Sequence, residues 1–293
     1  MANYDYDIGV LGGGAAGLTV ASGASQFGAK TLLVEKEKAL GGDCLHYGCV
    51  PSKTLIKTAH VYHMIRNSAK YGLPDIETGP VDFKDVAARI QSVISEIQKH
   101  DSEERFCALG VKVEFGDAAF SDEHSIRIGG KTYSAKKWLI ATGSSPMVPP
   151  IEGLENTPFI TNKEIFSLES LPKSMIVIGA GPIAIEMAQS FNRLGTNVSV
   201  VQRSGQILSK EDKDMADEVM RVMESEGVMF HLNSAILSAG DLGTEKEVII
   251  KKKDGKTVGL KAERILVALG RQTNVDGLGL ESISLKYDKK GIA

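Results

Sequence analysis

Residues 7–24 read DIGVLGGGAAGLTVASGA, and this stretch decides the fold. An apolar run, residues 7–11, leads directly into Gly12, Gly14 and Gly17, which have the spacing GxGxxG. The small residues that follow, up to Ala24, can pack closely as a helix. The pattern predicts a buried strand, a tight glycine turn and a helix.

The spacing of these glycines has a physical reason. The first permits the tight turn, the second lets the backbone approach a pyrophosphate, and the third position must be small where helix meets strand. The helix N-terminus stabilises the phosphate charge. A second apolar strand, Thr31 to Val34, ends in Glu35, where an acid can bind ribose hydroxyls. The segment therefore predicts a βαβ unit that binds a dinucleotide.

The same pattern occurs a second time. An apolar strand, Ser174 to Ile178, precedes GAGPIA, which places Gly179, Gly181 and Ala184 in GxGxxA spacing. A helix to residue 193 and a strand over 197–201 follow, and Gln202 ends that strand. In both copies 23 residues separate the first glycine from this last position. Two dinucleotide-binding units are therefore predicted.

Composition excludes several classes of function. The chain has 293 residues, 42% hydrophobic content and a formal net charge of -3, so it can bury the cores of two domains. Its basic residues are spread along the chain, which argues against a nucleic-acid partner. No apolar run reaches membrane-spanning length, and the segment Met1 to Asp7 is acidic where a signal peptide is basic. A cytoplasmic protein without a membrane partner is expected.

Two of the three cysteines lie five positions apart in GGDCLHYGCVPSK, residues 41–53. On a regular helix Cys44 and Cys49 would be too far apart to bridge, so a disulfide needs an irregular turn, which Gly48 permits. A helix that begins near Cys49 and continues through Lys53 would favour the thiolate of Cys49. Two alternatives stay open: plain core packing, or a zinc site with the nearby histidines His46, His60 and His63. Cys107, in an apolar helix, is interpreted as core.

Other segments complete an α/β fold class. Residues 51–69 and 83–109 predict two long helices, and residues 111–120, 125–128 and 132–140 predict a small antiparallel meander. Further short strands at 247–252 and 264–268 follow the second unit, and Pro149-Pro150 marks a domain boundary. The expected architecture is two Rossmann-like, three-layer, parallel-sheet nucleotide-binding domains with an antiparallel meander in each.

These motifs together resemble a known family. GGDCLHYGCVPSK is similar to the redox-active GGxCxxxGCxPSK segment of the flavoprotein pyridine nucleotide-disulfide oxidoreductases, which include mercuric reductase, dihydrolipoyl dehydrogenase and glutathione reductase. The resemblance extends to GGGAAG with Glu35, ATGS at 141–144, GAGPIAIE at 179–186 and ALGRQTN at 268–274. Among the members, GCVPSKTL and VVQRS favour mercuric reductase, with dihydrolipoyl dehydrogenase as the alternative.

The resemblance implies an FAD-binding domain over residues 1–152 and 274–293 and an NAD(P)-binding domain over 153–273. Electrons would pass from NAD(P)H through FAD to the cysteine pair and on to a disulfide or a metal ion. Cys44 would be the interchange thiol that meets substrate, Cys49 the thiol next to the flavin, and Lys53 would pair with Glu186. The implied cofactor-binding residues are Gly12, Gly14, Ala16, Gly17, Glu35, Lys36, Gly42, Asp43, Cys44, Cys49, Lys53, Ala141, Thr142, Gly143, Gly179, Gly181, Ala184, Gln202, Arg203, Gly270 and Arg271. A flavin-binding electron-transfer protein without thiol chemistry is the alternative from another class.

The second unit favours NADP, with NAD possible. Gln202 stands where an acid would repel the 2′-phosphate, and Arg203 after it can bind that phosphate.

The sequence departs from the family pattern in two places. Asp43, His46 and Tyr47 stand where relatives carry smaller or neutral residues, which leaves the substrate open. The sequence stops at Ala293, whereas family members continue into a Gly-Asp segment that completes the flavin site and into a dimerisation domain that supplies a catalytic histidine. A homodimer is therefore expected of a full-length form, and this chain alone is expected to bind FAD weakly and not to turn over.

Overall fold

The computed structural model describes residues 3–288 and 290–292 of the chain. Residues 1, 2, 289 and 293, at the limits of the predicted domains, lie outside the described residues. The α-helices are α1 Ala15–Gln26, α2 Gly42–His46, α3 Cys49–Arg66, α4 Phe83–Gln98, α5 Glu103–Ala108, α6 Pro182–Leu194 and α7 Lys213–Ser225. Short 3-10 turns occupy Ser68–Tyr71, Leu154–Asn156, Ile165–Ser167 and Leu280–Ile283.

The strands are β1 Tyr6–Leu11, β2 Thr31–Glu35, β3 Val111–Phe115, β4 Ala118–Asp122, β5 Ser125–Ile128, β6 Lys131–Ile140, β7 Ser144–Pro146, β8 Ser174–Ile178, β9 Asn197–Val201, β10 Met229–His231, β11 Ala235–Asp241, β12 Lys246–Lys251, β13 Thr257–Ala262, β14 Arg264–Val267, β15 Arg271–Thr273, β16 Tyr287–Asp288 and β17 Gly291–Ile292. Strands and helices alternate in the two predicted βαβ units, β1-α1-β2 and β8-α6-β9, whereas β3 to β7 and β10 to β17 follow one another without an α-helix between them.

The chain divides into two compact units. Unit 1 contains residues up to Pro51, Ser92–Ser145 and the segment from Arg271 onward, and unit 2 contains Ser52–Gln91 and Pro146–Gly270. These limits differ from the predicted domain limits chiefly because residues 52–91 group with unit 2. The assignment of FAD to one domain and a nicotinamide cofactor to the other stays a prediction.

Unit 1 is built on a sheet with the strand order β3-β2-β1-β6-β5-β4. β1 pairs in parallel with β2 and with β6, and β2 pairs in parallel with β3. Its central strands are covered on both faces: Leu33 packs into one apolar cluster and its neighbour Leu32 into another, and both are fully buried. Alternate side chains of a strand point to opposite faces, so this split is expected of a sheet between two layers.

The antiparallel meander of unit 1 contains different strands from those predicted. Residues 111–120 are not one antiparallel strand: Gly116, at φ +146°, separates β3, which joins the parallel sheet, from β4. The antiparallel part is β4-β5-β6, and the ten-residue β6 belongs to both arrangements. Ser134 in its first half pairs with Ser125 of β5, and Lys137 in its second half pairs with Ile8 of β1.

The second predicted long helix is also interrupted. α4 ends at Gln98 and α5 begins at Glu103, because the side chain of Ser102 accepts a hydrogen bond from the Arg105 amide and caps a new helix. This break turns Cys107 to the surface, where it is exposed, so its interpretation as core is wrong.

Unit 2 contains a parallel sheet of order β10-β9-β8-β14 and an antiparallel sheet of order β11-β12-β13. The two pack together around buried aliphatic side chains, among them Ile176, Val248 and Ile265. Both units therefore have a parallel sheet and an antiparallel meander, and the predicted fold class is confirmed.

Candidate nucleotide and thiol sites

The first glycine loop connects β1 to α1. The Gly12 amide donates to the Val34 carbonyl (2.8 Å), and the backbone there has φ +105°, which favours glycine. A Cβ on Gly12 would lie 2.3 Å from the Ala141 carbonyl oxygen, and one on Gly17 would lie 1.8 Å from the Gly12 carbonyl oxygen. Backbone therefore fills the space that any side chain would need at these two positions.

The start of α1 provides a cradle for an anion. Its N-cap is Gly14, no side chain caps it, and its first turn, which includes Ala16, has no acid. The first amides of a helix have no intrahelical acceptor, so they are free to bind a phosphate. A Cβ on Gly14 would meet nothing closer than 3.7 Å, whereas one on Gly42 would lie 2.6 Å from the Gly14 Cα. The glycines of two loops thus keep the helix start accessible, and the residues fit the pyrophosphate of a dinucleotide.

Glu35 is buried at the end of β2 and accepts two backbone hydrogen bonds. Its Oε2 accepts from the Gly13 amide (2.7 Å) and its Oε1 from the Glu37 amide (2.8 Å). The carboxylate therefore also fixes the glycine loop, and each oxygen keeps a lone pair for a ribose hydroxyl. Lys36, next to it, is exposed.

The ATGS segment is tied to the ALGRQTN segment through Asn274. The Thr142 hydroxyl donates to the Asn274 carbonyl (2.6 Å), and the Asn274 side-chain amide donates to the Thr142 carbonyl (2.8 Å). The Asn274 amide donates to the Gly143 carbonyl (3.0 Å). Asn274 is the last residue of the ALGRQTN motif, and the sequence alone predicts no role for it. It holds together two segments that are 132 residues apart.

Arg271 also joins distant segments of unit 1. Its Nε donates to the Ser144 hydroxyl (2.8 Å), and its Nη2 donates to the Ser144 carbonyl (2.5 Å) and lies 3.0 Å from Asp43 Oδ2. The preceding Gly270, at φ +129°, accepts a hydrogen bond from the Met147 amide (3.0 Å). Arg271 and Asp43, both predicted as cofactor-binding residues, are thus brought together as an ion pair.

The two cysteines of the GGDCLHYGCVPSK segment come together in unit 1. Cys44 lies within α2, Cys49 begins α3 as predicted, and the irregular turn between them brings their side chains within hydrogen-bonding distance. Both are thiols that are not joined in a disulfide, and Cys49 is exposed while Cys44 is partly buried. Burial, the Cys49 side chain and the nearby Asp43 charge raise the pKa of Cys44 to about 11. The site therefore holds a protonated Cys44 beside a second thiol.

His46 is partly buried on α2. Its Nε2 lies 2.9 Å from the Leu40 carbonyl oxygen, which can only accept, so Nε2 carries the proton. The Gln98 side chain donates to the same carbonyl (3.1 Å). His46 is two positions from Cys44 on one helix, a spacing that does not place side chains face to face. Among the described residues no cluster of histidine, cysteine and acidic side chains could hold a metal ion, so the zinc alternative gains no support.

The second glycine loop, in unit 2, repeats the first. The Gly179 amide donates to the Val201 carbonyl (2.9 Å), φ is +109°, and a Cβ would lie 2.5 Å from the Ala268 carbonyl oxygen. A Cβ on Gly181, the N-cap of α6, would meet nothing within 4 Å. Ala184 is buried at the third position of the motif. The start of α6 has no side-chain cap and fits a second dinucleotide.

Gln202 and Arg203 follow β9. Gln202 donates from Nε2 to the Ser204 hydroxyl (2.8 Å), and Arg203 is exposed. The predicted contact of Arg203 with a 2′-phosphate stays a prediction.

Lys53 and Glu186 lie together in unit 2. Lys53 Nζ is 2.5 Å from Glu186 Oε1, and their side chains are 61% and 37% exposed. This is the partnership that the family resemblance implies. Their predicted catalytic roles stay a prediction.

The family comparison agrees with this geometry. The model of the pyridine nucleotide-disulphide oxidoreductase family matches residues 6–293. The chain belongs to this family. Its members use FAD and a nicotinamide cofactor, and the loops around Gly14 and Gly181 fit two dinucleotides. No helix in the described part of the chain is long and apolar enough to span a membrane.

Relatives with two different activities are similar to this chain at nearly equal sequence identity. A mercuric reductase of Staphylococcus aureus is 31% identical over 287 residues, which is 98% of this chain and 52% of that protein. A dihydrolipoyl dehydrogenase of Bacillus subtilis is 33% identical over 305 residues, 96% of this chain and 62% of that protein. The chain thus spans between half and two thirds of these relatives.

A solved family structure has the same fold. The HOCl-induced flavoprotein disulfide reductase RclA from Escherichia coli matches with a TM-score of 0.84 and 26% identity, covering 97% of this chain and 61% of that one. Another structure of RclA is a Cu(II) complex, which matches with a TM-score of 0.85 and 25% identity.

Proposed function

We propose that the chain belongs to an FAD-dependent, NAD(P)H-linked oxidoreductase that uses Cys44 and Cys49 as its redox-active pair. The acceptor would be a disulfide or a metal ion, as in mercuric reductase. When bound, FAD would supply the two-electron transfer between the nicotinamide and the thiols. The chain's own residues would hold the two dinucleotides on α1 and α6 and carry the electrons as a dithiol or a disulfide.

One observation carries the proposal: the two thiols are within hydrogen-bonding distance in the unit that also holds the cradle at Gly14. Thiols this close can form a disulfide when two electrons and two protons are removed. Core packing does not account for Cys49, which is exposed at the start of α3. A purely electron-transferring flavoprotein would not need this pair.

Dihydrolipoyl dehydrogenase activity, in which a dithiol is oxidised with NAD, is the second candidate. It is supported by the 33% identity to the Bacillus subtilis enzyme. The nature of residues 202 and 203 favours the first candidate, because a neutral glutamine followed by an arginine suits NADP better than NAD. A cytoplasmic location and a homodimeric full-length form belong to the same proposal.

Absorbance of the protein loaded with FAD tests the cysteine roles. Reduction should produce a long-wavelength charge-transfer band, because a thiolate would lie against an electron-poor ring. Cys49→Ser should abolish the band, whereas Cys44→Ser should leave it visible without reduction. Cys107→Ser is the matched control, since Cys107 is exposed and distant in sequence, and it should change nothing.

Two outcomes would contradict the proposal. If the Cys44→Ser and Cys49→Ser proteins have the same spectrum, the two roles are wrong. If mass spectrometry of the oxidised wild-type protein finds both thiols free, the pair is not redox-active.

A further inference from the structure

Asp43 is the residue in the cysteine segment whose charge needs an explanation. It lies directly before Cys44, where an acid suppresses the thiolate that disulfide exchange requires. Its backbone is held by a hydrogen bond, which the Asp43 carbonyl accepts from the Tyr47 amide (2.8 Å). The Asp43 side chain therefore starts from a fixed position, one residue from Cys44 on α2.

Arg271 is held in the geometry that compensates this charge. Two hydrogen bonds to Ser144 fix the guanidinium before it reaches Asp43 Oδ2 at 3.0 Å. The side chains of Arg271 and Asp43 are only 26% and 35% exposed, so solvent screens the pair less than a surface pair. A planar guanidinium that is already oriented loses little freedom on pairing.

We infer that Asp43 and Arg271 form a positioning pair that sets the reactivity of Cys44. The Asp43 charge lowers the reactivity of the Cys44 thiol, and Arg271 reduces this effect because it pairs with Asp43. The hydrogen bonds from Arg271 to Ser144 also hold the cysteine segment against β7. The inference rests on the proposed function in that Cys44 is the thiol that attacks. In this inference neither residue contacts the reacting sulfur, and each acts through its charge and its position.

Beside Cys44, Asp43 is a charge that a substitution can remove without changing the cysteine pair itself. The other titratable groups next to Cys44 are Cys49 at the start of α3 and His46 on α2, whose Nε2 is bound to the Leu40 carbonyl. The raised pKa of Cys44, to which burial, Cys49 and the Asp43 charge contribute, agrees in direction.

The test is the rate at which iodoacetamide alkylates Cys44 between pH 7 and pH 10 in the reduced protein. Fragmentation of the peptide of residues 39–53 assigns the label to Cys44 or Cys49. Asp43→Asn should speed alkylation of Cys44 about threefold at fixed pH, because a lower pKa of Cys44 raises the thiolate fraction and the lower nucleophilicity of that thiolate offsets only part of the gain. Arg271→Gln should slow it by a similar factor, and the double variant should be close to wild type.

The opposite signs separate a charge effect from a merely structural one. If both single variants change the rate in the same direction, or if Asp43→Asn changes nothing, the inference is overturned. Glu123→Gln, at the tip of the β4–β5 turn, is the control for loss of one negative charge, and an equal effect there would also overturn it.

Two further measurements keep the result decisive. If Arg271→Gln does not fold, Arg271→Lys replaces it. This variant keeps the charge, so its rate of Cys44 alkylation should stay within twofold of wild type. Slower alkylation of Cys44 in Asp43→Asn would still refute the inference. Disulfide formation between Cys44 and Cys49 is scored by mass in the same samples. If the wild-type protein forms no disulfide, the proposed function is wrong. If the disulfide forms but Asp43→Asn and Arg271→Gln do not change the alkylation rate in opposite directions, only the role of the pair is wrong.

Discussion

The two glycine loops of this protein have similar backbones and differ in the side chain at the carboxyl end of the second strand, which is Glu35 as the last residue of β2 and Gln202 directly after β9. In each, the first glycine amide donates to the last or near-last carbonyl of the neighbouring strand, Val34 or Val201, and an alanine carbonyl fills the space behind it. In the first loop Glu35 turns back and binds the Gly13 amide, whereas Gln202 in the second binds Ser204. The difference shows that the acid holds its own glycine loop, whereas the glutamine does not.

The largest expected effect comes from the third position of the motif. Gly17→Ala should destabilise unit 1 by about 3 kcal/mol, because the new Cβ would lie 1.8 Å from a backbone oxygen that cannot move aside. Urea denaturation followed by circular dichroism measures it. Gly23→Ala in the same helix meets nothing within 4 Å and should be neutral or stabilising.

The reverse substitution, alanine to glycine, can be made at the third position of the second loop. Ala184→Gly should cost only about 1 kcal/mol, the difference in helix propensity, since that loop already accommodates a methyl group. Equal losses for Gly17→Ala and Ala184→Gly would break the comparison, because the two loops would then have the same space at this position.

The acid itself gives the next largest effect. Glu35→Gln should cost about 2 kcal/mol, since a glutamine offers one acceptor oxygen to two backbone amides and leaves a buried donor unpaired. Gln202→Glu, which is partly exposed, should change stability by less than about 1 kcal/mol. Thermal unfolding of both variants tests this, and a stability loss in Gln202→Glu as large as in Glu35→Gln would contradict a special role of Glu35 in its loop.

Nucleotide preference sharpens the same comparison. Arg203→Ala should weaken NADPH binding about tenfold, which corresponds to one charge-assisted contact with the 2′-phosphate. NADH has no such phosphate and should bind nearly unchanged. Titration of intrinsic fluorescence with each nucleotide measures both affinities. Lys210→Ala, a nearby exposed cation, is the control, and equal losses of NADH and NADPH would count against the assignment.

The smallest expected effect concerns pH. In unit 2, burial lowers the pKa of His63, helped by Arg193, and burial also lowers the pKa of His231. Because these folded pKa values lie below 6.5, the usual value for histidine, the unfolded chain binds protons first as the pH falls. Stability of unit 2 should therefore decline as the pH drops below 6.5.

Hydrogen exchange at pH 7 and pH 5.5 measures this for each unit separately. The peptides of unit 2 should lose protection, and those of β1 and β2 in unit 1 should lose less, since the lowered carboxyl pKa values there act at lower pH. His63→Gln with His231→Gln should remove the difference. Equal loss of protection in both units of the wild type would contradict it.

Several site residues followed directly from spacing, and others did not. Gly12, Gly17 and Gly179 were predictable because a glycine turn leaves no room for a side chain, and that constraint is local. Asn274 and Ser144 were not, since their partners, Thr142 and Arg271, lie far away in the sequence. The contact of His46 with the Leu40 carbonyl spans only six positions, but it depends on the turn before α2, and no residue pattern indicates it.

The sequence by itself determined the two βαβ units, the start of α3 at Cys49 and the α/β class, because these depend on short-range periodicity and on turns that only glycine can make. Only the tertiary structure decided that Val111–Phe115 joins the parallel sheet, that Arg271 meets Asp43, and that the two thiols come within reach of each other. These features depend on which strands become neighbours and on how a chain turns between helices. Strand order and long-range contacts are set by the packing of whole layers, and no local pattern of residues records them.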